Sequence, residues 1–209
     1  MIALLGASFD PLTNGHLYMI EKAAPLFQKL YIALAINPNK KYTFSDDKRL
    51  DMLERVIQTI PAGHRQGIEI IKIGNEFLVE PAKLRHVQVL LRGCRNETDY
   101  EYERAMRHVN AQLAPNIQTL LFLPPQELEL VSSSFVKGMC GPNGWEKIVH
   151  KYVPPFVYWN LIDKFNGEWL CPECWKPLSK TEIAEAKKVG VCNRCNACYD
   201  AYCDFMRNR

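Results

Sequence analysis

Three groups of residues in this chain are spaced for chemistry. The first is Ser8-Phe9-Asp10-Pro11-Leu12-Thr13-Asn14-Gly15-His16, where an apolar run gives way to turn residues and then to a helical pattern. A helix starting there presents unpaired backbone N–H groups and a partial positive charge, which together suit a phosphate. Gly15 lets backbone approach such an anion closely, and His16 on the first turn can aim a ring nitrogen at it. A lone histidine in a turn reads most simply as a cap. Turn, glycine and histidine together read as a phosphate site. The second group is basic: Lys40 in Asn37-Pro38-Asn39-Lys40-Lys41, and Arg92 and Arg95 on either side of Gly93 and Cys94. Ammonium and guanidinium groups hold phosphate, the latter with two parallel N–H donors. On composition alone Lys40 is a solvated lysine. Arg92 directly follows an apolar stretch and precedes a glycine, so it emerges at the end of a strand. The third group is Ser132, Ser133 and Ser134, which cap a helix by default, with Lys137 one turn further on adding charge. Glu101 and Glu103 fit a site or a solvated helix face equally well.

The pattern around these residues predicts the elements that must position them. Residues 1–8, 30–36, 68–73, 87–91 and 119–123 read as buried strands, apolar and largely unalternating. Between them, residues 16–29, a segment capped at Ser45 and running to about Ile60, residues 81–86 and residues 99–113 have helical character, and Ser132 to Met139 opens another helix. Strands alternating with helices imply βαβ units: an α/β, Rossmann-like parallel sheet with helices on both faces. Ligands of such sheets bind beyond the carboxyl ends of the strands, where the polar clusters fall. Residues 151–166, aromatic and apolar, read as the last helix of the core plus a linker.

On these residues the chain resembles the adenylyltransferase and cytidylyltransferase superfamily, whose fold is Rossmann-like and whose signature is T/H-x-G-H. Residues 6–16, GASFDPLTNGH, carry that signature. Asn37 to Lys41, with Phe44 beyond, is similar to the lysine loop of the phosphopantetheine adenylyltransferase family. Leu91-Arg92-Gly93-Cys94-Arg95 with Asp99-Tyr100-Glu101-Tyr102-Glu103 resembles that family's R-G-x-R…D-F-E-Y-E block, and Val131 to Lys137 resembles the superfamily's I-S-S-T/S-x-x-R/K motif. The resemblance spans about residues 1–155. Ala7 and Lys137 depart from it, standing where glycine and arginine are usual.

The resemblance implies an enzyme of coenzyme A biosynthesis that transfers the adenylyl group of ATP to 4′-phosphopantetheine, giving dephospho-CoA and pyrophosphate, with Mg²⁺ accompanying ATP. It implies catalytic roles for His16, Lys40 and Arg92. Ser8, Phe9, His16, Gly93, Cys94, Arg95 and Glu103 would contact ATP. So would Leu128, Val131, Ser132, Ser133, Ser134 and Lys137. Ser8, Lys40, Leu78 and Arg92 would contact the acceptor. Relatives form hexamers, so a homo-oligomer is expected. Residues 76–86 match least well, which keeps open a different phosphate acceptor such as nicotinate mononucleotide or a sugar or polyol phosphate; a nucleotide-binding regulator without turnover, its partner held by the cysteine tail, is a separate alternative. His64, His86 and His150 read as surface residues and His108 as partly packed. Cys94, inside the R-G-x-R turn, reads as a packed residue or as a source of thiol sensitivity.

Cysteine is distributed unevenly. Of eight cysteines, Cys94 and Cys140 alone precede residue 170. Cys171-x-x-Cys174 and Cys192-x-x-Cys195 are paired knuckles with 17 residues between them, the spacing of a structural zinc site whose four thiolates leave no open position. Cys198 and Cys203 offer alternative ligands. Ser179 to Val189 between the knuckles reads as a capped amphipathic helix. The expected organisation is a nucleotidyltransferase domain at 1–160, a linker at 161–168 and a zinc-ribbon-like module at 169–209, whose role would be stabilisation or contact with a protein partner.

Composition bounds the rest. The chain has 209 residues, 47% hydrophobic and 23% charged, which is globular usage. No apolar run reaches the ~18 residues of a membrane span. Net charge is only +3, and acidic and basic residues nearly balance in the tail, so nucleic acid is not an expected partner. Met1 leads into Ile-Ala-Leu-Leu with no basic lead-in, the pattern expected of a cytoplasmic protein.

Overall fold

A computed structural model describes residues 1–37, 40–171 and 173–189. Its elements in chain order are β1 (Ile2–Ala7), α1 (Asn14–Ala23), β2 (Lys29–Ala35), α2 (Asp46–Gln58), α3 (Ala62–Arg65), β3 (Ile68–Ile73), α4 (Val79–Leu84) and β4 (Val89–Gly93). There follow α5 (Glu97–Leu113), β5 (Gln118–Phe122), α6 (Ser133–Met139), α7 (Glu146–Val149), α8 (Pro155–Lys164) and α9 (Lys180–Val189). They fall into two compact units, Met1–Ser133 and a second beginning at Ser134.

The first unit is a five-stranded sheet in the order β3-β2-β1-β4-β5, and every pairing is parallel. Strand order reverses at β1, and right-handed crossovers then put helices on both faces. Leu4, Leu5, Ile32, Leu34, Leu90 and Leu91 in the central strands are all buried, as strands covered on both faces require. In sheets of this kind ligands bind beyond the carboxyl ends of the strands at such a reversal, here those of β1 and β4.

Local chemistry moved some boundaries from their expected places. The helix expected over 16–29 ends at Ala23 and tightens into one 3₁₀ turn at Ala24–Leu26. Pro25 lacks the N–H that would continue the α-helical ladder. The fourth strand is Val89–Gly93 rather than 87–91, because the Val87 N–H is spent on Ala82 O at the end of α4. Arg92 is therefore a strand residue and not a loop residue.

The second unit buries Trp145, Val149, Val157, Tyr158, Leu161 and Ile162. Residues 161–164, expected in the linker, complete α8, because Leu161 and Ile162 are core side chains. Beyond α8 the chain makes a tight hairpin: Leu170 bridges Pro177, the Cys171 N–H donates to Lys176 O at 2.9 Å, and the Trp175 N–H donates to Cys171 O at 2.8 Å. α9 opens on a capping box, in which the Glu182 N–H donates to Ser179 Oγ at 3.3 Å while the Ser179 N–H donates to Glu182 Oε2 at 2.8 Å. Cys192, Cys195, Cys198 and Cys203 lie outside the described residues.

Candidate active site

The site is built from the loop after β1. Thr13 is the N-cap of α1, and its N–H donates to His16 Nδ1 at 3.0 Å, with the Thr13 hydroxyl 2.9 Å from the same nitrogen. A backbone N–H can only donate, so Nδ1 carries the lone pair and the neutral ring carries its proton on Nε2. Burial, reinforced by the Arg95 guanidinium, lowers the His16 pKa to about 4. The ring is thus a neutral hydrogen-bond donor at physiological pH. Phe9 packs edge-on against it with centroids 5.1 Å apart. Phe9 itself is buried with φ of 47°, a left-handed conformation that costs a residue with a Cβ about 1–3 kcal/mol.

Asp10 fixes this loop to the next one. Its buried carboxylate accepts from the Thr43 N–H at 3.0 and 3.1 Å and from the Phe44 N–H at 3.0 Å. Arg49 on α2 reinforces the tie. It is fully buried, and its Nη1 donates to Ser8 O and to Ala35 O, joining the carboxyl ends of β1 and β2, while Nη2 pairs with Asp46 at 2.6 Å. Its guanidinium also lies 3.9 Å over the Tyr42 ring. Sequence reasoning missed Arg49. In Asp46-Asp47-Lys48-Arg49-Leu50-Asp51 it looks like one more charge on a solvated face, and only the fold shows that it points inward.

Arg92 on β4, the strand beside β1, is held by a buried acid on α5. Its Nε donates to Glu103 at 2.8 and 2.9 Å, its Nη2 pairs with the same carboxylate at 2.8 Å, and its Nη1 donates to Gly6 O at 2.9 Å. One N–H on each terminal nitrogen is left over for an anion. Glu103, equally a site residue or a surface acid by sequence, is buried and positions Arg92. Gly93 is where Met19 of α1 passes: a Cβ there would come within 2.9 Å of Met19 Sδ. Arg95 forks onto Asp99 at 2.8 and 3.1 Å and donates to Val131 O at 3.4 Å. Burial works to raise the Asp99 pKa, but the Arg95 bonds prevail and lower it. Burial raises the Cys94 pKa, helped by the Asp99 and Glu103 charges. A buried, protonated thiol is a poor nucleophile, so Cys94 is a packed residue.

The remaining expected residues lie as follows. Lys40 is exposed, with its ammonium 5.7 Å from the Tyr42 ring centroid. Leu78 fills the space a side chain at Gly6 would take, since a Cβ there would meet Leu78 Cδ1 at 2.6 Å. Leu128 ends a 3₁₀ turn and its carbonyl accepts the Val131 N–H at 3.0 Å. Val131 is buried, Ser132 precedes α6, and the Ser133 hydroxyl donates to Pro11 O at 2.8 Å, closing the loop after β1. Ser134 and Lys137 continue along α6 in the second unit. Of the other histidines, His64 and His86 are exposed as expected. His108 is exposed rather than packed, and His150 packs against Tyr158 and Trp175 rather than lying at the surface.

The neutral histidine after β1 and the braced arginine on β4 thus belong to neighbouring strands at the switch point of a parallel sheet, where ligands of such folds bind. The family model described as cytidylyltransferase-like matches residues 4–139, and the chain belongs to that family. Curated relatives narrow the class. The phosphopantetheine adenylyltransferase of Chromobacterium violaceum is 42% identical over 166 residues, covering 79% of this chain and 98% of its own. That of Streptococcus suis is 38% identical over 156 residues, covering 75% and 91%. Within the wider family, the chain belongs with the phosphopantetheine adenylyltransferases. The fold is also that of a solved Plasmodium falciparum nicotinic acid mononucleotide adenylyltransferase complexed with NaAD, at a TM-score of 0.60 and 15% identity, covering 79% of this chain and 95% of that one.

Proposed function

We propose that this chain transfers the adenylyl group of ATP to 4′-phosphopantetheine, releasing pyrophosphate and forming dephospho-CoA. One observation carries the reading in the geometry: a neutral His16 with its proton on Nε2, in the first turn after β1, and an Arg92 on the adjacent β4 that is braced by Glu103 and Gly6 O with one N–H left on each terminal nitrogen. A phosphate oxygen of the acceptor attacks the α-phosphorus, the bond to the bridging oxygen of the β-phosphate breaks, and pyrophosphate leaves. Such a reaction asks for positioning and charge stabilisation rather than a protein nucleophile. His16 donates Nε2–H to the α-phosphate as charge builds there. Lys40 and Arg92 hold the attacking phosphate, Ser8 serves both substrates, and Leu78 lines the acceptor arm. Phe9, Gly93, Cys94, Arg95 and Glu103, with Leu128, Val131, Ser132 and Ser133, would contact ATP, and the serine motif extends that expectation to Ser134 and Lys137.

The carboxylates of this site are already engaged, Asp10 by backbone N–H groups, Glu103 by Arg92 and Asp99 by Arg95. The donor set fits a Mg²⁺ ion carried on the ATP phosphates rather than in a protein cage. Held on the ATP phosphates, Mg²⁺ would supply charge neutralisation for the pyrophosphate leaving group.

Pyrophosphate release from ATP and Mg²⁺, with and without 4′-phosphopantetheine, tests the reading. Release that requires both the acceptor and His16 is expected. Release with nicotinate mononucleotide instead would reassign the acceptor, and nucleotide binding without release would make the chain a regulator.

The hairpin at Cys171 and Cys174 supports a structural zinc site completed by Cys192 and Cys195. Cys171 is buried, its N–H and O are both used to close the turn, and Trp175 adopts φ of 59° just past the second cysteine. A compact turn across a C-x-x-C pair is the form a tetrathiolate site uses. The domain proposal keeps a catalytic part from residue 1 and the cysteine module at 169–209, with the link narrowed to 165–168 because 161–164 belong to α8. A homo-oligomer is supported by α5, where Glu103 and Asn110 alone are buried while Tyr100, Tyr102 and Leu113 are exposed. No described helix is long and apolar enough to cross a membrane, in keeping with a cytoplasmic enzyme.

A further inference from the structure

The Lys40 loop has a support that the sequence motifs do not include. Tyr42 has two cations over its ring, the buried Arg49 guanidinium 3.9 Å from the centroid and the exposed Lys40 ammonium 5.7 Å from it. Its hydroxyl accepts the Asn37 N–H at 2.8 Å and reaches Ala35 O at 3.5 Å. Asn37 O in turn accepts the Lys40 N–H at 3.0 Å. Arg49 is itself immobilised by Ser8 O, Ala35 O and Asp46, and its buried Nε has no hydrogen-bond partner. A rigid guanidinium thus fixes the ring, and the ring fixes both the start of the loop and the approach of its lysine.

We propose that Tyr42 is a positioning residue for the acceptor phosphate, acting through Lys40. The inference rests on the reading that Lys40 holds that phosphate. A lysine side chain on an untethered loop must lose several rotors on binding an anion. A ring that attracts the ammonium by its negative face confines it in advance, at a strength weak enough for a phosphate to draw it off. The hydroxyl limits the loop's own freedom by anchoring Asn37. Among the described residues, no hydrogen bond or ring contact joins Tyr42 to Arg95 or Val131, on the proposed ATP side.

Steady-state kinetics on Tyr42→Phe, Tyr42→Leu, Lys40→Ala and the Tyr42→Leu/Lys40→Ala double variant test this, with melting curves for each. Removing the hydroxyl alone should raise the KM for 4′-phosphopantetheine about two- to threefold, a single neutral hydrogen bond's worth. Removing the ring as well should raise it about tenfold, with the KM for ATP unchanged in both. In the Lys40→Ala background the Tyr42→Leu change should add nothing. Tyr42→Phe keeps the ring's packing, so it reports even if Tyr42→Leu does not fold. An acceptor KM unchanged in Tyr42→Phe and Tyr42→Leu but raised in Lys40→Ala would overturn the role of Tyr42 alone. So would a loss that falls equally on both substrates, or one that persists without Lys40. An unchanged acceptor KM in Lys40→Ala would overturn the underlying role of Lys40, and the Tyr42 proposal with it.

Discussion

His16 resists protonation, and that has measurable consequences. Its folded pKa is lowered to about 4 by burial first and Arg95 second, while the unfolded chain titrates near the ordinary value of about 6.5. Above the unfolded value both states are neutral and the site contributes its full stability. As pH falls from there toward the folded value, the unfolded chain takes up a proton that the folded one refuses, and stability is lost. The melting temperature of wild type should therefore fall more steeply below pH 6.5 than that of His16→Asn. Activity should show no inflection from this ring between pH 5 and 8, because the donor remains Nε2–H throughout. His16→Ala should lower kcat by about 10²–10³, the loss typical of one transition-state hydrogen-bond donor. Cys94 makes the opposite point. Its place in the R-G-x-R turn allows thiol sensitivity on paper, but burial and two neighbouring carboxylates keep the thiol protonated. Iodoacetamide at pH 7.5 should leave turnover intact. Inactivation tracking alkylation of Cys94 would show the turn to be open. Residue types alone made His16, Arg92 and the serines legible. Arg49 was not, because a buried arginine is written with the same letter as a solvated one.

At the scale of elements, the sheet and most helices were readable from apolar periodicity, whereas their ends were decided by single bonds. Pro25 ended α1 early, the Val87 N–H shifted β4, and the buried Leu161 and Ile162 carried α8 into the expected linker. None of these is a periodic signal. The loops at the carboxyl ends of β1 and β2 depend in the same way on Asp10, which the sequence shows only as a turn residue. Asp10→Ala would strand the Thr43 and Phe44 N–H groups in a partly buried setting. Leaving both unpaired should cost on the order of 3 kcal/mol, read as a lower denaturation midpoint with an unchanged slope. Asp10→Asn keeps an acceptor and should lose less. Equal losses for the two would mean that charge, not hydrogen bonding, holds the loops together.

At the scale of the whole molecule, the cysteine-bearing segment proposed to hold zinc is also packed against the rest of its unit. Within the second unit, Trp169 stacks on Trp159 of α8 at 4.5 Å with planes 6° apart, and its Nε1 donates to Asp163 at 3.2 Å. Lys187 of α9 closes the arrangement, 4.8 Å over the Trp169 ring and paired with Asp163 at 2.9 Å. Leu170, Cys171, Leu178 and Ala186 are buried. A small module with so little apolar surface of its own borrows α8 as the other half of its core. Docking and metal binding should then be energetically linked, since a ligand that binds only the folded segment stabilises it. Trp169→Ala removes a stacked pair and its burial, on the order of 2 kcal/mol, or about 4–8 °C in melting temperature for a chain of this size. Chelation should lower the melting temperature of wild type. If docking and metal are linked, it should lower that of Trp169→Ala by less, because part of what the metal stabilises is already lost. Full additivity of the two losses would mean that the thiolate site folds independently of α8, and a wild type indifferent to chelator would remove zinc from the second unit altogether.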